Sequence, residues 1–140
     1  MHDIMDVRAG AVGADDVRGR SLASYRTLTA ALVVVHLAVS LFMVFGGLLV
    51  WRGLAPAWVH LPLAAWGVFV HVANVTCPLT PLEKCLRRRA GLPAYERGFV
   101  EQYLMPRSMR GKVTRHGHVL IGLGLLAVNA AVYGAMLAAP

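Results

Sequence analysis

Charge is scarce in this chain, and acid is scarcer than base. Only 15% of its 140 residues are charged and just 7 are aspartate or glutamate. None of these acids lies inside the long apolar runs, which excludes a buried carboxylate-bridged di-metal centre and an acidic proton relay within a membrane. Cysteine is nearly absent as well. Cys77 and Cys85 are too few for a disulfide scaffold and too far apart for a C-x-x-C metal or redox motif. There is no heptad or longer repeat, low-complexity tract, phosphate-binding glycine loop, nucleophile elbow, dinucleotide fingerprint or His-Glu-x-x-His pair. The opening residues lack the apolar core of a signal peptide: residues 1–26 mix four acids with four arginines.

What is present is hydrophobic. At 57% apolar residues the chain is too greasy for a soluble fold of this size, whose surface would outweigh its core. The composition therefore predicts an all-α integral membrane protein. Three transmembrane helices are expected at about 28–51, 57–75 and 117–137, behind a flexible tail at 1–26. The first run covers about 30 Å of hydrocarbon at roughly 1.5 Å per residue. Trp51 and Trp58 sit at one interface, and Pro62 falls in an opening turn where its missing donor costs little. Gly46-Gly47, Ala127-x-x-x-Ala131 and Ala130-x-x-x-Gly134 offer close helix approach.

Of the 14 lysines and arginines, four precede the first run, one lies in the first connection and nine lie between Lys84 and Arg115. Positive charge collects on the cytoplasmic side, so the N-terminus and the long second connection are expected in the cytoplasm and the C-terminus outside. The formal charge of +7 is thus read as orientation and attraction to anionic lipids. It is not read as nucleic-acid binding, because the cations flank apolar spans and do not form a basic platform interleaved with aromatics.

The turn from Cys77 to Arg89 joins the second run to the membrane surface. Thr80, Pro81 and Glu83 match a capping box, with proline in the first helical position, and predict a helix over about 81–90 closed by Gly91 in a left-handed cap. Leu82, Cys85 and Leu86 share one face, which predicts a helix lying in the lipid interface, with Arg87, Arg88 and Arg89 reaching headgroups. A second interfacial helix is expected at about 95–104, where Tyr95, Phe99, Val100, Tyr103 and Leu104 form a stripe ended by Pro106.

Ionisable side chains inside a membrane point to function, which draws attention to His36 and His71. Counted from Leu54, they lie eighteen and seventeen residues away, at nearly equal depth on antiparallel helices. Thr29, His36, Ser40, Met43 and Gly47 share one stripe, and His60, Ala64, Gly67, His71 and Asn74 another. Gly122, Asn129 and Tyr133 extend the pattern from His118 on the last run. Such an arrangement suits axial ligation of haem b or a transition-metal site. The favoured reading is that neutral histidines stitch the helices through hydrogen bonds to Ser40, Asn74, Asn129 or a backbone carbonyl. His60 is expected to anchor at the outer interface, and His116 and His118 to be solvated or to contact lipid headgroups. Cys77, with a helix start and basic residues nearby, is a candidate nucleophile, and Glu83 and Glu101 are candidate acid/base groups.

His36, Phe42 and Gly46-Gly47, then Trp58-x-His60, Trp66-Gly67, Cys77 to Glu83, Leu86-Arg87, Gly91, Tyr95, Gly98-Phe99, Glu101, Tyr103, Asn129 and Tyr133 form one further pattern. On these residues the chain resembles a bacterial family of small integral membrane proteins of unknown function with a Cys-Pro-Leu-Thr-x-Leu-Glu signature. The resemblance covers about 28–137 and implies a shared membrane fold without an assigned activity. It also implies an acid at position 71 and histidine at position 102 in many relatives, so a bis-histidine haem is not implied for the family.

These readings lead to an inner-membrane protein whose expected role is that of a non-enzymatic accessory or scaffold subunit, packing against a partner membrane protein or a second copy of itself. The alternatives are a haem- or metal-binding protein using His36 and His71, and an enzyme acting on a hydrophobic or lipid substrate.

Overall fold

The computed structural model describes the backbone of residues 3–139 and the side chains of residues 19–139. Among these the chain is all helical: α1 (Asp3–Trp51), α2 (Ala57–Val72), α3 (Leu79–Arg89), a five-residue π-helix at Val100–Leu104, and α4 (Arg115–Ala138). Two helices, not the expected three, are long and apolar enough to cross a membrane: α1 over Gly19–Trp51 and α4. At 16 residues, α2 spans about 24 Å, short of the roughly 30 Å of a hydrocarbon core.

The reason lies at the end of α2. Asn74 adopts φ 54, Val75 N–H bonds Val70 C=O at 3.0 Å, and Asn74 N–H bonds His71 C=O at 3.3 Å. This is a Schellman stop with asparagine in the left-handed position, and it ends the helix before Val75. Gly91 closes α3 in the same way at φ 68, as its sequence context predicts. The chain of α1 is helical from Asp3, upstream of the expected span start near Leu28.

The capping box does not form. The α3 helix begins at Leu79 after Pro78, without a side-chain cap, and Thr80 N–H bonds Cys77 C=O. Glu83 turns away from the helix end because stronger donors reach it from elsewhere. The face of α3 directed at the bundle carries Thr80 and Glu83, while Leu82 points out. Expected helix 95–104 reduces to the π-helix, closed by a Met105 N–H to Val100 C=O bond of 3.1 Å directly before Pro106.

Helices α1, α2 and α4 pack through glycine. A Cβ on Gly46 would collide with the His60 ring, one on Gly67 would meet Leu125 and Met43 at 2.9 Å, and one on Gly122 would meet Val72 at 2.9 Å. The alanine motifs expected to pack α4 do not do so: Ala127, Ala130, Ala131 and Gly134 are exposed. Asn129 instead pins α4, donating to Met43 C=O at 3.1 Å and Leu125 C=O at 2.9 Å. The α3 helix runs back along α1, with Glu83 near His36 at one end and Ala90 C=O accepting from Arg26 Nε at 3.4 Å at the other.

The resulting interior is polar and the exterior apolar. Thr29, His36, His60, Thr80, Glu83, Glu101 and Asn129 are buried, whereas Phe45, Leu61, Phe69, Leu120 and Leu126 are exposed. In water this arrangement loses the burial of large apolar side chains that drives folding.

Candidate functional site

The polar interior is concentrated where α3 and the following connection cover one end of the bundle. Glu83 is fully buried, and both of its oxygens accept from tyrosine: Tyr95 Oη donates to Oε2 at 3.0 Å and Tyr103 Oη to Oε1 at 2.9 Å. Arg87, one turn on, donates through Nη1 to Tyr103 Oη at 2.9 Å and stands 3.8 Å from Glu83 Oε1. Its Nε is held by Pro93 C=O at 2.9 Å. Arg87 therefore belongs to this cluster, while Arg88 and Arg89 are exposed. Burial, then the hydrogen bond to Glu83 and its charge, pushes the Tyr103 hydroxyl up to about 12. Burial and Glu83 also push Tyr95 upward. Both phenols keep their protons at ordinary pH and act as fixed donors.

His36 completes the first cluster. Its ring stacks on Phe99 at 3.7 Å between centroids, which fixes the ring plane. Nδ1 faces Glu83 Oε2 at 3.8 Å, too long for a hydrogen bond, and is buried without a partner. A carboxylate opposite Nδ1 favours the proton there, leaving Nε2 as an acceptor. Nε2 makes no hydrogen bond among the described residues, and the ring borders a cavity.

A second carboxylate–imidazole pair stands nearby. Glu101 is buried, with Oε1 3.1 Å from His118 Nε2, and with Oε2 accepting Gly111 N–H at 3.3 Å and 3.7 Å from Arg97. His118 in turn stacks with His71 at 5.9 Å. His118 is thus engaged in the site and is not the solvated residue expected from the sequence.

Both clusters border a cavity of about 170 Å³. Its α1 wall carries His36, Val39, Ser40 and Met43, and its α2 wall carries Trp66, Val70 and His71, with Asn74 just past the helix end. Cys77, Thr80, Glu101 and His118 close the polar end. His36 and His71 therefore reach the same cavity, each against a different aromatic partner. Among the described residues, no group of three or more His, Cys, Asp or Glu side chains could hold a metal ion. Glu83 does not line the cavity and acts on it through His36. Cys77 is a free thiol on the wall.

Sequence reasoning missed Tyr95 and Tyr103 as partners of Glu83. Their place on a stripe opposite a lone buried acid was the available signal. It also misplaced His60, which is fully buried, with Nδ1 2.9 Å from Tyr133 Oη and its ring against Gly46.

Residues 26–134 match the sequence model of one family, described as a protein of unknown function, DUF2784. The chain belongs to this family. The matched stretch holds every residue of the two clusters and the whole cavity wall. No curated protein and no solved structure matches the chain.

Proposed function

We propose that this DUF2784 protein is a multi-pass protein of the bacterial inner membrane that binds a small molecule in the cavity beneath α3 without transforming it. The membrane assignment rests on two long apolar helices and on an interior more polar than the surface. It also rests on the basic connection, which favours a cytoplasmic face for α3 and the N-terminus. The helix α2 crosses only with its flanking segments or by thinning the bilayer locally.

One observation carries the binding reading: two buried carboxylates each back an imidazole on the wall of one cavity. Buried ionisable groups are costly, and supported rings with a free nitrogen suit recognition. Native mass spectrometry of the protein released from lipid discs tests the proposal. A bound species is expected in the wild type and absent in Val70→Trp, which fills the cavity. Identical bare masses for both would overturn it.

The accessory-subunit reading keeps one supporting observation. Exposed Leu61, Ala65, Phe69, Leu126 and Ala130 line an apolar groove of about 680 Å³ between α2 and α4, wide enough for another apolar segment. Site-specific crosslinking from Ala130 would report a partner there, and labelling by lipid alone would oppose it.

A further inference from the structure

The cavity has a polar end and an apolar end. From His36 to Met43 its α1 wall descends seven residues, roughly 10 Å along the helix, away from α3. On α2, Trp66 and Val70 follow one stripe, Asn74 lies just past the helix end, and Trp66 and Asn74 are exposed at the margin. The space is therefore a cleft between α1 and α2, polar at the α3 end, greasy deeper in, and open along its flank.

Its polar end selects by charge. Glu83 is saturated by Tyr95, Tyr103 and Arg87, and Glu101 by His118, Gly111 and Arg97. Neither carboxylate is left to bind a cationic head. Among the described residues, no lysine or arginine lines the cleft, so an anionic head would be buried without a counter-charge, at high cost. The groups on the cleft wall that make no hydrogen bond among the described residues are imidazoles: His71, and the more deeply buried His36 ring, 4% exposed. His36 Nδ1 is unpartnered opposite Glu83, and Nε2 likewise accepts and donates no hydrogen bond.

We propose that the α1–α2 cleft takes a neutral single-chain amphiphile bearing a hydroxyl group, an alcohol or a phenol, whose O–H donates to His36 Nε2 and whose chain lies along Val39, Met43 and Trp66. This rests on the reading of the cavity as a binding site and adds the class of ligand.

Trp66 provides the readout, because among the described residues it is the only tryptophan on the cleft wall. In the Trp51→Phe, Trp58→Phe protein in lipid discs, its fluorescence is titrated with an ω-bromo alkanol, the matching ω-bromo fatty acid and the bromoalkane. The alkanol is expected to quench saturably, while the acid and alkane quench only in proportion to their concentration in the lipid. His36→Leu should weaken alkanol binding about tenfold, the worth of one hydrogen bond in a desolvated site, with partial recovery in His36→Gln. Val39→Phe, one helical turn from His36 on the cleft wall and making no hydrogen bond to the Glu83 cluster, should abolish saturation with the helical signal intact, which separates occupancy from folding. Equal saturation by all three probes, or saturation by the acid alone, would overturn the ligand class and leave the binding site standing. An unchanged affinity in His36→Leu would overturn the role of Nε2. Absence of saturation with every probe would overturn the binding-site reading itself.

Discussion

Replacing Glu83 tests whether the buried cluster holds the covering layer onto the bundle. In Glu83→Leu both tyrosine hydroxyls lose their acceptor, at 3.0 and 2.9 Å, and Arg87 loses the carboxylate 3.8 Å away. Hydrogen bonds to a charged acceptor contribute about 1.5–3 kcal/mol each, and removing one member of a buried charged set costs about 3–5 kcal/mol. Release of Glu83 from its own desolvation offsets part of this, so the expected loss is about 3 kcal/mol. Glu83→Gln keeps an acceptor for one tyrosine and can donate to the oxygen of the other, so it should cost about 1–2 kcal/mol. Equilibrium unfolding in mixed micelles, followed by far-ultraviolet circular dichroism, gives both values. The order Leu worse than Gln worse than wild type is required. A Glu83→Leu protein within about 0.5 kcal/mol of wild type, the scale of an ordinary surface change, would refute the cluster's role.

Gly46→Ala drives a methyl group into the His60 ring and should destabilise by about 1–3 kcal/mol, whereas Gly124→Ala, with open space around it, should be neutral or stabilise by up to about 1 kcal/mol; the same unfolding assay compares them. Tyr103 ionises at 10.0 when unfolded and at about 12 in the fold, so the folded state holds the proton more tightly. Its contribution to stability is complete below pH 10.0 and is lost as pH rises towards about 12. An alkaline titration of tyrosinate absorbance should therefore show a late transition that disappears in Tyr103→Phe. A reporter fused after Pro140 should be active only outside the cytoplasm; cytoplasmic activity would reverse the proposed orientation.

Much of the interior was legible as periodicity. The stripes through Thr29, His36 and Gly47, through His60, Ala64 and Gly67, and through Gly122 and Asn129 all face neighbouring helices, because small and polar residues at helical spacing fit an interior made by close backbone approach. Asn74 is the exception: it leaves its stripe because it terminates α2 in the left-handed region. The Glu83 cluster was not legible, since its donors come from residues 12 and 20 positions away on a connection whose path no local pattern fixes. The capping motif at Thr80 competed with that long-range set and lost: two phenols and a guanidinium outweigh one backbone N–H. His60 was misjudged because nearness to a helix end says nothing about which face it occupies, and Gly46-Gly47 opens room for its ring.

In the proposed site His36 presents a bare Nε2 to the cleft because Glu83 stands opposite Nδ1. Nitrogen NMR of the ¹⁵N-histidine-labelled protein in lipid discs, with the signal assigned through His36→Gln, measures this directly. The prediction is a neutral ring protonated at Nδ1 with Nε2 unprotonated, and a loss of that preference in Glu83→Gln. A ring protonated at Nε2, or one indifferent to Glu83, would contradict it.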